Sequence, residues 1–423
     1  MDKKFPACAL NLFFLIAAAY SQLTIEECHF KAEENYPLAR RYGLIEQSAA
    51  FTLSNTRKSY LPQFAFSAKG SNQSDVTSLP FSFPGAAVPE IEKQQYLSSV
   101  EISQVVWDGG VIQSRKNIVT ASGELEKRKT AAELYTLRER VNQVFFGILL
   151  LDEKLKQNLI LQNELGRHHD LIAAYIRSGI ASRSDSDIVK VEQLNAAQRM
   201  IELESLKSSY LEMLGALTGT VISERTYLVR PDILLPDTGT VTDSGKRPEM
   251  RLFEAGAALS DSRRSAVYSG LTPKINLFLQ GGYGRPALNM FDNDFSFFYI
   301  GGVRLLWNLN GFYTLKNDLE LIEIEKKSIE TDRDTFIFNN NLQIAQQKNE
   351  IDKAEKLLVN DDEIILLRNR VKKSAEDRVE NGTLSISDLI KEINASDSAF
   401  QEKAVHEIQQ LMAVYKLRNL TNN

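Results

Sequence analysis

Four histidines and two cysteines are the residues of this sequence that could bind a transition metal or transfer protons. Metal binding and nucleophilic catalysis need such residues at characteristic spacings, with each other or with carboxylates. No Ser-His-Asp, Cys-His or paired-acid arrangement stands out, and no metal-ligand spacing to Cys28 or to a carboxylate pair is found for His29, His168, His169 and His406. His168 and His169 are neighbours on a predicted helix, so they are expected to point in different directions into solvent. The sequence therefore predicts neither an enzyme nor a metal or cofactor site.

A glycine-rich segment, Gly281-Gly282-Tyr283-Gly284, superficially resembles a phosphate-binding loop. It follows a predicted strand and leads into another strand, so no helix N-terminus is available to hold a phosphate. The formal net charge of −5, with basic and acidic residues mixed along the helices, also argues against a nucleic-acid partner.

Two aspartates remain as candidate functional groups, and each follows a short polar turn that contains a glycine. Asp185 follows the turn at 178–182, and Asp388 follows the turn at 381–385. The glycine of each turn can adopt the left-handed conformation that ends a helix. An aspartate just after such a turn is also typical of helix N-capping, and this structural role can coexist with a functional one.

Two long segments without proline contain these turns. No proline occurs between Pro89 and Pro231 or after Pro286, and proline is the residue that most strongly interrupts a helix. Apolar residues in both segments follow heptad spacing, which is typical of long helices with a left-handed supercoil. The first stripe consists of Leu134, Leu137, Val141, Val144, Ile148, Leu151 and Leu155, and the second of Ile337, Ile344, Ile351, Leu358 and Ile365.

These stripes predict long helices over about 111–177 and 313–380, each about 100 Å long at the rise of an α-helix. That length exceeds the dimension of a compact domain. After its glycine turn, each long helix is followed by a predicted return helix, over about 185–218 and 386–418. Two long antiparallel helical hairpins are therefore expected.

Strand-like sequence precedes each long helix. Alternating apolar and polar residues predict strands over about 62–69, 98–107, 273–283 and 295–309. Such two-faced strands suit a bilayer-spanning sheet, with apolar side chains toward lipid and polar ones toward a lumen. Four strands alone cannot close, and open edges in lipid leave backbone groups unpaired, so the strands of several chains must join in one barrel.

The order helix, strand, loop, strand, long helix, glycine turn and return helix occurs twice, which indicates an internal repeat. Repeat 1 is predicted over 22–219 and repeat 2 over 247–419, with an inter-repeat linker at 220–246 and a tail at 420–423. Matching landmarks recur in the same order at a nearly constant offset, namely Pro62 and Pro273, Trp107 and Trp307, Gly179 and Gly382, and Asp185 and Asp388.

The N-terminal segment 1–21 has the pattern of a signal peptide, with two lysines before an apolar run and small residues at its end. Export is therefore expected. Cleavage would remove Cys8 and leave Cys28 as the only cysteine, which excludes an internal disulfide and predicts a buried, small apolar side chain. No later stretch of about 20 consecutive apolar residues exists, so any membrane crossing is expected to use strands.

In these segments and their order, the chain resembles the TolC-type outer-membrane efflux proteins, or outer membrane factors. The resemblance covers essentially the whole chain after the signal peptide. It is carried in repeat 1 by residues 23–28, Tyr60-Leu61-Pro62, 106–110 and 179–185, and in repeat 2 by residues 247–249, 271–274, Trp307 with Asn310-Gly311, and 382–390.

The resemblance implies a mostly α fold with a minor β part, assembled as a homotrimer. Twelve strands would form one outer-membrane β-barrel, continued through the periplasm by an α-barrel of twelve helices. It also implies a passive exit duct of a tripartite efflux or type I secretion system. The partners would be outer-membrane lipid, a periplasmic adaptor (membrane fusion) protein and an inner-membrane pump of the RND or ABC type.

The resemblance further assigns roles to the two turns. They would form the periplasmic tip that contacts the adaptor through Gly179, Ser182, Arg183, Ser184, Gly382, Thr383, Leu384 and Ser385. Asp388 matches the aspartate that narrows the tip in the family, and Asp185 matches an acidic residue that helps to hold the tip closed. The chain departs from the family at three positions. Lys391 stands where a second aspartate can occur, Val379 where a tyrosine can occur, and Leu384 where an arginine can occur. The closed state is therefore expected to be held differently, with three copies of Asp388 favouring cations.

Other functions remain open from the sequence. A secreted periplasmic coiled-coil scaffold without channel activity would show the same heptads, but it would leave the apolar strand faces unexplained and would be soluble without detergent. A periplasmic adaptor would have one hairpin flanked by several small β-domains. The cargo is undefined, although six methionines and four histidines without a cluster argue against dedicated export of soft metals.

Overall fold

The computed structural model describes residues 22–77, 91–179, 181–224, 226–233 and 247–422. The predicted signal peptide at 1–21 lies outside the described residues. So do residues 225 and 234–246 of the predicted linker.

The described residues are mostly helical, with one four-stranded sheet, and this confirms the predicted fold class of a mostly α chain with a minor β part. The first half of the chain contains β1 (Gln22–Leu23), α1 (Ile25–Asn35), a 3₁₀ turn (Pro37–Arg40), α2 (Arg41–Lys58), β2 (Gln63–Asn72), β3 (Gln94–Trp107), α3 (Val111–Tyr135), α4 (Leu137–Arg177) and α5 (Arg183–Thr218). The second half contains β4 (Tyr227–Leu228), α6 (Pro248–Gly270), β5 (Lys274–Arg285), β6 (Ser296–Leu306), α7 (Gly311–Glu380) and α8 (Ile386–Thr421).

The chain divides into two compact units, and each unit draws on both halves of the sequence. One unit, called the helical unit below, consists of the described residues within 1–39, 134–243 and 341–423, and it contains α1, α4, α5, α8 and the part of α7 from residue 341 onward. The other consists of the described residues within 40–133 and 244–340, and it contains the four-stranded sheet.

The two long helices differ in continuity. α7 runs without interruption over 70 residues. The helix predicted over 111–177 is instead divided into α3 and α4 at Thr136. Thr136 keeps helical backbone angles, but its carbonyl accepts from the N–H of Glu139, only three residues later, which is the tighter 3₁₀ pattern. The hydroxyl of the adjacent Tyr135 donates to the carbonyl of Asn419 over 2.6 Å. The division is therefore a local tightening of the helix beside an anchored aromatic residue.

The four-stranded sheet is antiparallel throughout, in the order β2-β3-β5-β6. Two hairpins, β2-β3 and β5-β6, are joined because β3 also pairs with β5, with a bulge between Val105 and Trp107. The last predicted strand was extended too far, since β6 ends at Leu306. Beyond it, the indole N–H of Trp307 donates to the carbonyl of Leu271 over 2.9 Å, which directs this residue to the junction with the preceding helix.

The register of the sheet separates its side chains into an apolar and a polar face. Residues that pair directly across neighbouring strands lie on the same face of the sheet. By this rule one face carries the apolar residues Phe64, Phe66, Val100, Ile102, Leu277, Leu279, Tyr283, Phe297, Tyr299, Val303 and Leu305. Most of them are exposed, as shown by Phe66 at 74% and Phe297 at 86%. We call this surface the apolar sheet face.

The opposite surface, the polar sheet face, carries a network of hydrogen bonds across strands. The hydroxyls of Ser67 and Ser99 lie 3.0 Å apart, and the amide of Gln280 donates to Ser99 over 2.9 Å. Arg304 donates to the carboxylate of Glu101, also over 2.9 Å. This face also carries Phe278, Phe298 and Ile300. It differs from the apolar sheet face because hydrogen bonds and an ion pair join its polar side chains across the strands.

The helical unit has a core around α1, α4, α5 and α8. α1 begins with a capping box in which Thr24 and Glu27 satisfy each other's backbone N–H groups. Cys28, Phe145 and Phe146 are fully buried in this core. The expected small apolar role of Cys28 is confirmed, and burial raises the pKa of its thiol to about 12. No helix among the described residues has both the length and the hydrophobicity that crossing a bilayer requires.

Candidate functional site at the two helix turns

Both predicted turns join helices of the helical unit through a glycine with a positive φ. Gly179 follows α4 with φ +74°, and Gly382 follows α7 with φ +67°. A Cβ atom at either position would meet no other atom within 4 Å. The left-handed backbone conformation, and not crowding, is therefore the reason for glycine at both turns.

Asp185 forms a capping box with Ser182 at the start of α5. The Asp185 carboxylate accepts from the backbone N–H of Ser182 over 2.9 Å and from its hydroxyl over 2.8 Å. In return, the Ser182 hydroxyl oxygen accepts from the backbone N–H of Asp185. The capping role considered for this aspartate is therefore present in the structure.

Asp388 has the corresponding place at the start of α8, but with an additional cationic partner. The Ser385 hydroxyl donates to Asp388 Oδ2 over 2.7 Å, and its oxygen accepts from the Asp388 backbone N–H. Lys391 Nζ lies 2.9 Å from Asp388 Oδ1. The hydrogen bond from Lys391, followed by that from Ser385, holds the pKa of Asp388 below its ordinary value. Lys391 therefore compensates the charge of the predicted gate aspartate.

The exposed residues of the turns form a small polar surface. Gly179, Ser182, Arg183 and Ser184 are exposed in the first turn, and Gly382, Thr383 and Ser385 are exposed in the second. Thr383 also caps α7, because its backbone N–H and hydroxyl both donate to the carbonyl of Arg378. Of the residues predicted to contact a partner, only Leu384 is half-buried.

An apolar cluster lies below the turns and packs the ends of four helices together. It contains Leu161, Leu165 and Ile172 of α4, Val189 and Ala196 of α5, Ala375 and Val379 of α7, and Ile386, Leu389, Ile390 and Ile393 of α8. Leu384 packs against it. Val379 and Leu384, the two apolar departures from the family pattern, therefore contribute to the packing that holds the two hairpins together.

A layer of charged side chains surrounds this apolar cluster and links different helices. Lys372 of α7 pairs with Glu164 of α4 at 2.8 Å. Arg199 of α5 lies 3.6 Å from Asp397 of α8, and burial raises the pKa of Asp397 despite that arginine. These ion pairs connect the first hairpin to the second.

His168 departs from its predicted orientation. It does not face solvent: its side chain is 13% exposed, and its Nε2 lies 3.5 Å from Glu376 Oε1 on α7. With Glu164, the side-chain donor atoms of the three residues lie within 4.8 Å of one another. The sequence signal for two of these three residues was available, because Glu164 precedes His168 by four residues and thus lies on the same helix face. Glu376, from the other half of the chain, gives no such signal.

Comparisons with known proteins relate this fold to outer-membrane channels. A crystal structure of CusC, described in connection with transmembrane channel formation, matches with a TM-score of 0.71 and 12% identity, covering 100% of this chain and 98% of that chain. A membrane protein from Pseudomonas aeruginosa matches with a TM-score of 0.71 and 16% identity over 94% of this chain and 90% of that one. The Campylobacter jejuni CmeC outer membrane channel matches with a TM-score of 0.66 and 13% identity, covering 94% of this chain and 85% of that chain.

No protein-family model and no curated protein matches the sequence. At these identities the structural likeness defines the fold, which is that of outer-membrane channel proteins and extends over nearly the whole length of each.

Proposed function

We propose that this protein is the outer-membrane channel subunit of a tripartite efflux or type I secretion system and acts as a passive, non-catalytic exit duct. The observation that carries the proposal is the sheet, which leaves most of the large side chains of its apolar face exposed and joins polar side chains across the strands on the other face. A soluble sheet buries its apolar face, and a patch of this kind is rare on soluble proteins. A sheet in a bilayer directs that face to lipid and its polar face to an aqueous lumen.

The same sheet supports assembly as a homotrimer. β2 and β6 each have one edge that pairs with no strand within the described parts of the chain. In hydrocarbon, such an edge would leave its N–H and C=O groups unsatisfied. Three copies joined edge to edge would form a closed barrel of twelve strands, in which every edge is paired.

The helical unit offers further surfaces for neighbouring copies. Large apolar side chains remain exposed on both hairpins, namely Val191, Leu194 and Ile201 of α5 and Val359, Leu366, Leu367 and Val371 of α7. Packing these rows against adjacent subunits would bury them and give a periplasmic α-barrel of twelve helices. The protein would thus lie in the outer membrane and extend into the periplasm of a Gram-negative-type bacterium.

The two turns would form the periplasmic tip of this duct. Their exposed residues would contact a periplasmic adaptor protein, which connects the duct to an inner-membrane pump of the RND or ABC type. Asp388 and Asp185 are proposed as the gate residues. Both are fixed by capping bonds, so a ring of three copies would place its charges at defined positions. The likeness to the CmeC outer membrane channel supports the channel fold on which these assignments rest.

The proposal is tested by measuring the native mass of the protein after mild-detergent extraction of purified outer membranes, followed by conductance in planar bilayers. We expect a trimer, found only in that fraction, with discrete conductance steps. A soluble monomer or dimer in the periplasmic fraction would contradict the proposal and favour a coiled-coil scaffold. A trimer that never conducts, even with variants at the turns, would exclude the channel function.

A further inference from the structure

We propose that Glu164, His168 and Glu376 form a binding site for a divalent transition-metal cation of the Zn²⁺ type. The site lies inside the helical unit and joins α4 of the first hairpin to α7 of the second. One imidazole nitrogen and two carboxylate groups provide the donor set. Their nearest side-chain donor atoms all lie within 4.8 Å of one another.

The helices position these three side chains before any metal binds. Glu164 and His168 are four residues apart on α4, so they lie on one face a single turn apart. Glu376 approaches from α7, and its Oε1 is 3.5 Å from His168 Nε2. The exposed fractions of the side chains are 9% for Glu164, 13% for His168 and 33% for Glu376. The cluster is thus mostly enclosed by protein but remains open to solvent at Glu376.

The separations between the three donor atoms would suit a small cation if the donors moved slightly closer together. A tetrahedral zinc site has bonds of about 2.0–2.2 Å to imidazole nitrogen and carboxylate oxygen, which places its donors about 3.3 Å apart. The His168–Glu376 pair is already close to that separation, and rotation of the Glu164 side chain can bring in the third donor. Three protein ligands leave the fourth position for water. Imidazole with carboxylate favours Zn²⁺ and its borderline neighbours over Mg²⁺ or Ca²⁺, which prefer donor sets made only of oxygen.

Lys372 is the competitor for this site. Its ammonium nitrogen lies 2.8 Å from Glu164 Oε1, so a metal must displace it from that carboxylate. The lysine charge balances only one of the two glutamate carboxylates, so the second carboxylate remains to attract a cation. We therefore expect measurable binding in the native chain and tighter binding when the ammonium is removed.

Binding would cross-link the two hairpins next to the apolar cluster below the turns. This consequence rests on the proposed function: in a channel, a cation at this position would stabilise the packed state of the tip. The binding itself requires only the folded chain, so it can be measured whether or not the protein conducts.

The experiment is calorimetric titration of the purified full-length protein in detergent with Zn²⁺, with Co²⁺ absorption as a probe of ligand geometry. We expect one Zn²⁺ per chain and a Co²⁺ spectrum of low coordination number. His168→Gln should weaken binding by about tenfold or more, since even indirect partners of metal ligands contribute that much. His169→Gln is the matched control, because this neighbouring side chain is not part of the cluster, and it should bind as the native protein does.

Lys372→Met gives an effect of opposite sign, since it should tighten binding, and misfolding cannot produce that result. The proposal is overturned if neither the native protein nor Lys372→Met binds Zn²⁺, or if His168→Gln and His169→Gln bind equally well. A conducting trimer without Zn²⁺ binding would reject only this site. Zn²⁺ binding by a soluble, non-conducting protein would reject only the channel.

Discussion

Lys391 donates a hydrogen bond to Asp388 across 2.9 Å, one turn into the helix that follows the second glycine turn. The family pattern allows a second aspartate at this lysine position. Here the lysine instead pairs with Asp388, and its hydrogen bond is the main reason why the pKa of Asp388 is lowered. In the proposed trimer, each negative charge of the ring would thus have its own positive partner.

Replacing this lysine should therefore expose the ring charge. We expect Lys391→Met to increase block of the channel by a multivalent cation several-fold at low ionic strength, where screening is weak. Asp388→Asn should remove the block, and Lys391→Arg should retain the native behaviour. Single-channel recording with cation added from the periplasmic side measures all three. Equal block in the native protein, Lys391→Met and Asp388→Asn would contradict the assignment of Asp388 to the gate.

The glycine of the second turn should be sensitive to any side chain despite the open space around it. Gly382→Ala places a Cβ on a left-handed backbone, which costs about 1 kcal/mol. Hydrogen exchange of the amides in the last turn of α7 and the first turn of α8 should become about fivefold faster.

Gly166 provides the matched control. A Cβ at this position also meets no atom within 4 Å, but Gly166 lies inside α4 and has no positive φ. Gly166→Ala should therefore stabilise its helix by about 0.5–1 kcal/mol. If both alanine variants changed exchange in the same direction, backbone conformation would not be the reason for glycine at the turn.

The two faces of the sheet should respond differently to the same charge. Leu279 lies on the apolar sheet face, whereas Gln280, the next residue of β5, lies on the polar face. Leu279→Lys would expose an ammonium to lipid at a cost of about 2–4 kcal/mol near the bilayer midplane. We expect it to reduce the amount of trimer recovered from outer membranes.

Gln280→Lys removes one hydrogen bond to Ser99 but leaves the new charge in the aqueous lumen. It should assemble at close to native yield and change only ion selectivity. Equal recovery of the two lysine variants would show that the apolar sheet face does not contact lipid.

His29 should make the helical unit sensitive to acid. Its Nε2 lies 2.6 Å from Asn142 Oδ1 in the interior, and burial lowers the pKa of His29. Because the folded pKa is below the unfolded value of about 6.5, the unfolded state takes up the proton first as the pH falls. This contribution to stability is complete above about pH 6.5 and decreases as the pH falls toward the folded pKa.

Thermal unfolding followed by helical circular dichroism should therefore show a lower melting temperature in the native protein at about pH 5.5 than at about pH 7.5. His29→Gln, which can still donate to Asn142, should reduce this difference. The partly exposed His169→Gln should leave it as in the native protein. A pH dependence that His29→Gln does not alter would assign the effect to other groups.

Features that depend on local sequence were predictable. The positive φ of Gly382 and the uninterrupted α7 follow from residue type and periodicity, since both are determined within one segment of the chain. The division at Thr136 was not predictable, because it accompanies a hydrogen bond from Tyr135 to a carbonyl near the end of the chain. The end of β6 at Leu306 depends in the same way on the contact of Trp307 with the preceding helix.

The candidate site shows the same limit. The spacing of Asp388 and Lys391 allowed their pairing to be deduced, but Asp388 had been considered only as a match to the family pattern and Lys391 only as a departure from it. The approach of Glu376 to His168 joins residues from different halves of the chain, and periodicity within either half contains no information about it. Contacts between helices that are distant in sequence were therefore the main omission.

The strand order has a consequence for symmetry. β3 pairs with β5, so the second strand of one hairpin lies beside the first strand of the next. The outer strands, β2 and β6, are again a first and a second strand. Where β6 of one copy meets β2 of the next in the proposed trimer, the two strands would have the same relation as β3 and β5. The ring would then consist of six hairpins joined by one kind of junction, and it would have a pseudo-six-fold axis. Three of the six junctions, those between β3 and β5, lie within one chain, and the other three lie between neighbouring chains.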